Sequence, residues 1–566
     1  MTYHLCDVCE RQYTPYSHAD MLWFTSLFSA SYYTKGACAT DTSACTDICV
    51  NILKMGGNAV DAAIAATICI GTVSAQGSGI GGGGFATIEN NRKQYFINFR
   101  EMAPKLAHKD MYTDPLDAQR GPLSIATPGE LKGLSEMHSK FGKLTWQHLF
   151  RPSIALANDG FKCTKHLAKV LSKVEPLILK DKGLSQIYTK LVHNNTQKVV
   201  VEEGDVIYRK NYAITLQLIA EYGVQEFYSG SIAVSLTQFL KQQGGILSFQ
   251  DFNHYKTEWQ TPLHLKLNNG LDLYTGVAPS GGPVLGAMLN IYQQFQSPDP
   301  TITVTTKQHR VVEVLKHAYA RRSQLADPNF IANVTSLSKF LISNSFATHV
   351  YSRINDSTTY PPSYYNSSYE YYNDKGTTHL SVMDLQGNAV SLTSTVNLEF
   401  GSCLMDPVTG VILNDQMDDF SIPNRRNAFD LAPAAVNYIA AYKRPQSSAA
   451  PSILKYANNG NVKMVVGGSG GSRITSAVFK TIVDVLYDGK EINESVQSSR
   501  IHHQLFPNEI EIEQDLPMDV QTGLKLKGHE LKSVPLTFSA VQGIVVKNGF
   551  MSGAADKRKH GTVGGY

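Results

Sequence analysis

A glycine directly before a threonine, at the start of a strand-like segment, is the feature of this sequence that most suggests catalysis. Gly376 and Thr377 open the run Gly-Thr-Thr-His-Leu-Ser-Val, and polar residues and glycines follow downstream. A threonine hydroxyl is a weak nucleophile at neutral pH, but a free amine on the same residue can accept its proton. The pattern therefore suits an enzyme that cuts its own backbone before Thr377. Taken alone, the seven residues fit better a glycine turn entering a strand, with Thr377 as an ordinary β-branched strand residue.

The composition describes a large globular chain. Its 566 residues suffice for a large core or for more than one domain, and 42% are hydrophobic against 17% charged. The net charge is only +3, and the one basic cluster is the segment Lys557-Arg558-Lys559-His560. Nucleic-acid binding is therefore not indicated. We expect this segment to be a solvated end and not a binding site.

Eight cysteines in this length do not form a disulfide scaffold, and no second Cys-x-x-Cys pair completes a zinc site with Cys6 and Cys9. Cys45 and Cys69 fall on two adjacent predicted helices. From the residues alone they are either a disulfide or two buried thiols.

The cellular location is indicated only weakly. Five Asn-x-Ser/Thr triplets favour an extracytoplasmic protein, and they begin at Asn194, Asn333, Asn355, Asn366 and Asn493. An apolar run over residues 21–33 is too short to span a bilayer, which takes about 20 residues. The run fits the remnant of a signal sequence or a packed segment equally well.

Two helices are predicted at 43–56 and 59–73, and the second is almost wholly apolar and therefore buried. The glycine-rich residues 77–84 lack a phosphate-loop ending and feed a strand, so close backbone packing explains them better than a nucleotide site. Helical patterns then dominate to about residue 330, with examples at 129–141, 146–158, 212–222, 232–243 and 309–326.

The pattern changes around Thr377. Residues 351–375 are rich in Tyr, Asn, Ser and Asp without periodicity, which indicates an exposed loop that leads to the Gly376–Thr377 junction. Strands are predicted at 378–384 and 389–394. A second glycine cluster at 467–472 leads into a predicted helix at 473–487, and glycine amides before a helix can bind an anion or an oxyanion.

Seven motifs, in the same order along the chain, resemble those of γ-glutamyltransferases (γ-glutamyltranspeptidases), within the N-terminal-nucleophile hydrolase superfamily. The motifs lie at 57–64, 79–83, 99–104, 376–382, 414–421, 444–448 and 470–474. The resemblance covers residues 33–566 and implies an α/β fold of four stacked layers, αββα. It also implies a precursor cut into a large subunit, 33–376, and a small subunit, 377–566, which form one structural domain. Residues 1–32 are an unassigned N-terminal segment.

The resemblance assigns catalytic roles to four residues. Thr377 would be the nucleophile and, through its amine, the base. Thr395 matches the position that holds the nucleophile through its own hydroxyl. The backbone amides of Gly470 and Gly471 would stabilise the oxyanion. His379 lies on the same strand face as Thr377, but the amine already supplies the base, so we expect a structural role for it.

The resemblance also implies how the amino-acid head of a γ-glutamyl group is held. Arg100 would clamp the carboxylate with two parallel hydrogen bonds, with further donors from Ser447 and Ser448. Asp419 would pair with the ammonium, helped by the side-chain oxygens of Asn397 and Gln416. Many family members have glutamate where Gln416 stands, so we expect activity to persist with altered donor affinity.

The implied reaction transfers the γ-glutamyl group of glutathione, or of another γ-glutamyl donor, to water or to the amine of an amino acid or dipeptide. It needs no metal and no cofactor. Cys45 and Cys69 match a disulfide of animal members. The implied location is the outer face of the plasma membrane or the exterior, and any membrane attachment would use the N-terminal segment.

Three points stay open in the sequence. Glu399 stands where relatives have tyrosine or a small polar residue, and a carboxylate there could disfavour anionic acceptors or change the pKa of the Thr377 amine. A related acylase that cleaves glutaryl or other side-chain amides is the first alternative function. Asp419 argues against it, because such acyl groups lack the ammonium that Asp419 would bind. The second alternative is a non-catalytic relative that binds γ-glutamyl peptides or a partner protein. The presence of Thr377, Thr395 and the glycine pair argues against it.

Overall fold

The computed structural model describes residues 31–192, 197–295, 301–366, 376–423, 433–535 and 539–566. Two predicted sequons and part of a predicted loop fall outside these ranges: the sequon at Asn194, the last two residues of the sequon at Asn366, and residues 367–375 of the loop before Gly376. Cys6, Cys9 and most of the apolar run 21–33 also lie outside them. Among the described helices, none combines the length and the apolar character that crossing a bilayer requires.

Two antiparallel sheets of seven strands form the centre of the fold. In the first sheet the strands run from edge to edge in the order β21 (Thr562–Gly565), β2 (Ala37–Thr40), β12 (Gly376–Met383), β13 (Ala389–Asn397), β3 (Gly83–Asn90), β4 (Lys93–Phe99) and β9 (Glu258–Gln260). In the second the order is β1 (Tyr32–Tyr33), β20 (Phe550–Ala555), β19 (Ala540–Lys547), β15 (Val462–Ser469), β14 (Ser452–Tyr456), β11 (Leu271–Thr275) and β10 (Leu263–Lys266).

Three small sheets lie outside these layers. Their strands are β16 (Ile501–His502), β17 (Ile510–Glu513) and β18 (Leu531–Val534), then β5 (Phe161–Lys162) with β8 (Val206–Ile207), and β6 (Thr189–Val192) with β7 (Gln197–Val200). Because the apolar residues of β12 and β13 are buried on both faces, both strands must lie inside the molecule and not at its surface.

Helices cover both outer faces. In chain order they are α1 (Ser43–Lys54), α2 (Ala59–Val73), α3 (Glu130–Phe141), α4 (Trp146–Asp159), α5 (Lys165–Lys180), α6 (Lys182–Tyr188), α7 (Lys210–Tyr222), α8 (Gln225–Tyr228), α9 (Ser231–Gln242), α10 (Phe249–His254), α11 (Gly282–Tyr292), α12 (Val304–Arg322), α13 (Val334–Leu341), α14 (Asn344–Tyr351), α15 (Arg473–Leu486), α16 (Ile492–Gln497) and α17 (Met518–Leu526). Helix α2 packs on β12 and β13, and α15 packs on β15. The order is therefore helix, sheet, sheet, helix, and the predicted four-layer fold is confirmed.

Helix α2 shows why the sequence builds this layer. Asn58 caps it by accepting hydrogen bonds from the N–H groups of Val60 and Asp61, and Asp61 returns the bond to the Asn58 N–H. Every one of its 15 residues is buried, so the helix forms part of the main hydrophobic core between α1, α4 and the first sheet.

Two disulfides tie the start of the described chain together. Cys45 on α1 is bonded to Cys69 on α2, with the Cα atoms 5.5 Å apart, which confirms the pair that the resemblance implied. Cys38 on β2 is bonded to Cys49 on α1, a pair that was not predicted. Of the cysteines that the structure describes, Cys163 and Cys403 are free and buried.

Candidate active site

Thr377 is the second residue of β12, and the end of β13 fixes its position. Gly376 pairs with Asn397 and Thr377 pairs with Thr395, so the register shifts by one residue between them. This bulge leaves Asn397 with φ +76°, a conformation that asparagine tolerates better than most residues. Bulges redirect side chains next to active sites, and this one turns the ends of both strands toward the same pocket.

The Thr395 hydroxyl contacts both Thr377 and the carbonyl group of Gly376. It donates a hydrogen bond of 2.6 Å to the Gly376 carbonyl oxygen and lies 3.2 Å from the Thr377 hydroxyl oxygen. The N–H of Asn397 in turn donates to the Thr395 oxygen at 2.8 Å. Thr395 is 6% exposed and therefore has a fixed orientation.

The first glycine cluster holds this strand end from behind. A side chain on Gly82 would overlap the carbonyl oxygen of Thr395, and one on Gly81 would overlap that of Ile412. The N–H of Val396 donates to the carbonyl oxygen of Gly77 at 3.3 Å. The expectation of close backbone packing in this segment is therefore confirmed.

Arg100 and Asp419 meet directly in the pocket beside Thr377. The Arg100 guanidinium forms an ion pair with the Asp419 carboxylate and also donates to the carbonyl oxygen of Gln446 at 3.1 Å. Both side chains are almost fully buried, at 1% and 4% exposure. The two residues that were predicted to hold opposite charges of a substrate therefore hold each other.

Two buried amide oxygens accompany Asp419. Gln416 donates its side-chain N–H to the Asp419 carboxylate at 2.6 Å, and Asn397 donates its own to the carbonyl oxygen of Asp415 at 3.1 Å. The side-chain oxygens of Gln416 and Asn397 are buried without a hydrogen-bond partner among the described residues. A carboxylate and two unpaired acceptors around one pocket match the needs of an ammonium group, which has three donors.

Ser447 and Ser448 complete the opposite side of this pocket. The Ser447 hydroxyl oxygen accepts the N–H of Ala449 at 3.1 Å, and that of Ser448 accepts Arg322 Nη2 at 3.0 Å. Every predicted substrate-binding residue lines this pocket together with Thr377 and Thr395. The cavity has a volume of about 10 Å³, and the ion pair of Arg100 with Asp419 forms part of its wall.

A larger cavity of about 720 Å³ opens on the other side of Thr377. Gly470 lines it with Gly376 and Thr377, between the end of β15 and the start of α15. The φ angles of Gly470 and Gly471 are +122° and +62°, conformations that side chains disfavour. Gly470 therefore lies beside Thr377, whereas Gly471 follows Gly470 in the same turn without lining either cavity.

The predicted solvated end at 557–560 is wrong, because this segment forms part of the wall of the larger cavity. Lys559 donates from Nζ to the Thr377 carbonyl oxygen and forms an ion pair with Asp41 at 3.2 Å. Asp41 also accepts the Thr378 hydroxyl at 2.7 Å. Nothing local in the sequence signals these contacts, since pairing of β2 with β12 and β21 brings the groups together.

His379 has the structural surroundings that were expected of it. Its Nδ1 lies 2.8 Å from the Thr393 hydroxyl and its Nε2 lies 3.2 Å from that of Ser381. Burial, reinforced by the Lys559 cation, lowers the pKa of His379 to about 3. The imidazole is therefore neutral and is held between the two sheets, where a side chain on Gly467 would overlap it.

Buried carboxyl groups behind the site were not predicted as functional. Burial raises the pKa of Glu101 to about 8 against the opposing effect of Arg100, and raises the pKa of Glu130 to about 7. Glu130 accepts hydrogen bonds from Ser78 and Ser394. These groups join the first glycine cluster to β13, next to Thr395.

Glu399 lies in the wall of the larger cavity, where it forms an ion pair with Lys173 of α5. Its charge is therefore balanced by a neighbouring cation, and its effect on acceptors stays a prediction. Away from both cavities, the described residues include one group with metal-ligand spacing, namely His309, Glu313 and His529. There His309 Nδ1 is hydrogen-bonded to His529 Nε2 at 2.8 Å.

Comparison with known proteins gives consistent results. A family model described as Gamma-glutamyltranspeptidase matches residues 45–566. Glutathione hydrolase proenzyme 2 of Schizosaccharomyces pombe is 42% identical over 540 residues, which are 94% of this chain and 87% of that protein.

Solved structures give the same picture of the fold. The cephalosporin acylase of Bacillus halodurans superposes with a TM-score of 0.81 at 21% identity, over 99% of both chains. The γ-glutamyltranspeptidase of Helicobacter pylori matches with a TM-score of 0.54 at 29% identity, over 57% of this chain and 92% of that one. At 21% identity the acylase likeness concerns the fold alone.

Proposed function

The chain belongs to the γ-glutamyltranspeptidase family and is an enzyme of γ-glutamyl transfer and hydrolysis, and we propose that Thr377 is its nucleophile, released by self-cleavage after Gly376. The observation that carries this proposal is the hydrogen bond from Thr395 to the Gly376 carbonyl oxygen, beside the Thr377 hydroxyl. A donor on that oxygen polarises the one carbonyl group that the Thr377 hydroxyl must attack.

The proposed self-cleavage begins at the Thr377 hydroxyl. The Thr377 oxygen bonds to the Gly376 carbonyl carbon, the C–N bond breaks, and the nitrogen takes up the hydroxyl proton. Water hydrolyses the resulting ester and leaves a carboxylate on Gly376, with a free amine and a free hydroxyl on Thr377. The freed amine is the base that the hydroxyl needs in each later turnover.

The pocket that Arg100 and Asp419 line is the proposed site of the donor's amino-acid head. The substrate carboxylate takes the place of Asp419 on Arg100, with further donors from Ser447 and Ser448. The substrate ammonium goes to Asp419 and to the unpaired oxygens of Asn397 and Gln416. The substrate carboxylate thus replaces Asp419 beside Arg100, and the substrate ammonium replaces Arg100 beside Asp419. Neither side chain is therefore left buried without an opposite charge.

Acyl transfer uses the freed Thr377. Its oxygen attacks the γ-carbonyl carbon while its amine accepts the proton, and the N–H groups of Gly470 and Gly471 are the proposed donors to the oxyanion. Collapse breaks the amide bond, the departing amine takes the proton, and a γ-glutamyl ester on Thr377 remains. Water or an acceptor amine then attacks the ester from the larger cavity, which restores the threonine.

Glutathione is the proposed donor, and amino acids or dipeptides are the proposed acceptors besides water. We propose that residues 33–376 and 377–566 remain associated as one structural unit after the cut, since β12 pairs with β2 of the large subunit and with β13 of the small one. An extracytoplasmic location is proposed from the sequons, and the two disulfides agree with an oxidising compartment.

The test compares a γ-glutamyl anilide with a glutaryl anilide, which lacks only the α-amino group. The wild-type enzyme should release the chromophore from the first compound and hardly at all from the second, because Asp419 then has no partner. Thr377→Ala should cleave neither compound and should remain a single chain. Equal rates on the two anilides would contradict the assignment of the donor site.

A further inference from the structure

The contacts of Lys559 with Thr377 and of Asp41 with Thr378 have no part in the scheme above. Lys559 donates to the Thr377 carbonyl oxygen, and the Asp41 carboxylate accepts both Lys559 and the hydroxyl of Thr378. The other oxygen of Asp41 accepts Gln542 at 2.5 Å. Asp41 belongs to the proposed large subunit and Lys559 to the small one, so this ion pair joins both subunits at the nucleophile.

Self-cleavage makes such a contact necessary. Once Gly376 is released, Thr377 is the first residue of β12, and strand ends without anchors lose their order. On the side of β2, the register of β12 covers only residues 381–383. Thr377 and Thr378 are therefore held on that side by the side chains of Lys559 and Asp41 and not by backbone pairing.

Both groups are rigidly placed. Asp41 is 6% exposed and directly follows β2, at the start of the turn into α1. Lys559 is 17% exposed and closes a short turn at 557–559, which the Asp556 side chain caps by accepting the N–H of Arg558 at 3.0 Å. Pairing of Thr40 with Thr562 on neighbouring strands sets the two side by side.

We propose that Asp41 and Lys559 are positioning residues for the nucleophile, which anchor Thr377 at the end of its strand and set the electrostatic balance around its free amine. This inference rests on the proposed role of Thr377. A cation near an amine disfavours the ammonium form and a carboxylate favours it. The two members of the pair therefore act in opposite directions on the same base.

These charges predict the direction in which each variant moves the pH dependence of the rate. The amine must be neutral to accept the hydroxyl proton, so the rate rises with pH through the pKa of the amine. Lys559→Met removes the cation, raises that pKa and moves the acidic limb of the rate profile to higher pH. Asp41→Asn removes the carboxylate, lowers that pKa and moves the limb to lower pH. If the pair had a purely structural role, both variants would lose rate, but their acidic limbs would not move in opposite directions.

The remaining charged or titratable groups near Thr377 are the same in every variant, so they do not account for a difference between variants. His379, on the same strand, is neutral over the working range. The groups that line the two cavities are Arg100, Lys165, His166, Lys169, Lys173, Glu203, Glu399, Asp419, Arg473, Arg558 and His560.

The experiment measures kcat/KM for a γ-glutamyl anilide from pH 5 to 10 in the purified wild type, Asp41→Asn, Lys559→Met and Lys559→Arg. We expect the acidic limb of the profile to move by about half a pH unit or more, to lower pH in Asp41→Asn and to higher pH in Lys559→Met. Lys559→Arg keeps the cation and should return the limb to the wild-type position. Lys557→Met changes an exposed lysine of the same turn and is the matched control, with a wild-type profile expected.

Two results would overturn the inference. The first is an acidic limb at the same pH in the wild type and in all variants, whatever their rates. The second is failure of Asp41→Asn, Lys559→Met and Lys559→Arg alike to fold or to cleave themselves, since the pair would then have only a structural role. A wild-type enzyme without activity on the anilide would instead refute the proposed function, so the two failures can be told apart.

Discussion

The hydroxyl of Thr395 lies 2.6 Å from the carbonyl oxygen of Gly376 and 3.2 Å from the hydroxyl oxygen of Thr377. One side chain therefore touches both the proposed nucleophile and the carbonyl group that it would attack. The bulge between Gly376 and Thr377 makes this arrangement possible, because it directs both residues toward the same position on β13.

Replacing Thr395 should slow self-cleavage far more than it affects folding. Thr395→Val keeps the shape of the side chain but removes the donor to Gly376, and loss of one such donor typically lowers a rate by about 10²–10³. A time course of the two fragments on denaturing gels measures the effect. Thr395→Ser retains the hydroxyl and is the control, which should cleave at a rate closer to wild type. Equal rates for Val and wild type would remove Thr395 from the mechanism.

Replacing Arg100 or Asp419 should weaken donor binding. Arg100→Lys loses the planar guanidinium that matches a carboxylate, and Asp419→Asn loses the charge that faces the ammonium. We expect KM for the γ-glutamyl anilide to rise by about 10- to 100-fold in each, since a charged hydrogen bond contributes about 1.5–3 kcal/mol. Arg92→Lys, at an exposed arginine, is the matched control. An unchanged KM in Arg100→Lys would place the substrate carboxylate elsewhere.

The two disulfides should contribute to stability and not to chemistry, because neither lies in the wall of either cavity. The double variant Cys45→Ser, Cys69→Ser should lower the free energy of unfolding by about 2–4 kcal/mol. Denaturant titration of the processed enzyme measures this difference, and kcat/KM at moderate temperature should stay near the wild-type value. A loss of activity in a fully folded double variant would contradict this separation.

Local patterns predicted much of this structure. Helix α2 was placed at its observed bounds, Ala59–Val73, from its almost wholly apolar residues. The ends of β12 and β13 near Thr377 were predicted too short, because the bulge and the positive φ of Asn397 follow from tertiary packing. The apolar helix α11 and most strands of the second sheet were not singled out, since short apolar runs do not distinguish strand from helix.

The site was predictable only where a motif carried it. Arg100, Asp419 and Thr377 lie in motifs and meet in one pocket, yet their direct ion pair could not be read from sequence. Asp41 and Lys559 are 518 residues apart and lie in no motif. Sheet pairing alone brings them together, so a charge pattern in the chain could not identify them. The basic segment at 557–560 looked solvated for the same reason.

The measurement that tests the account most directly is N-terminal sequencing and intact mass of the smaller fragment from the purified protein, with Thr377→Ala prepared in parallel. The account predicts a fragment that begins Thr377-Thr378-His379-Leu380 in the wild type, and a single uncut chain in the variant. A wild-type chain that stays whole on long incubation, or a fragment that begins at another residue, would contradict the assignment of Thr377 as the nucleophile.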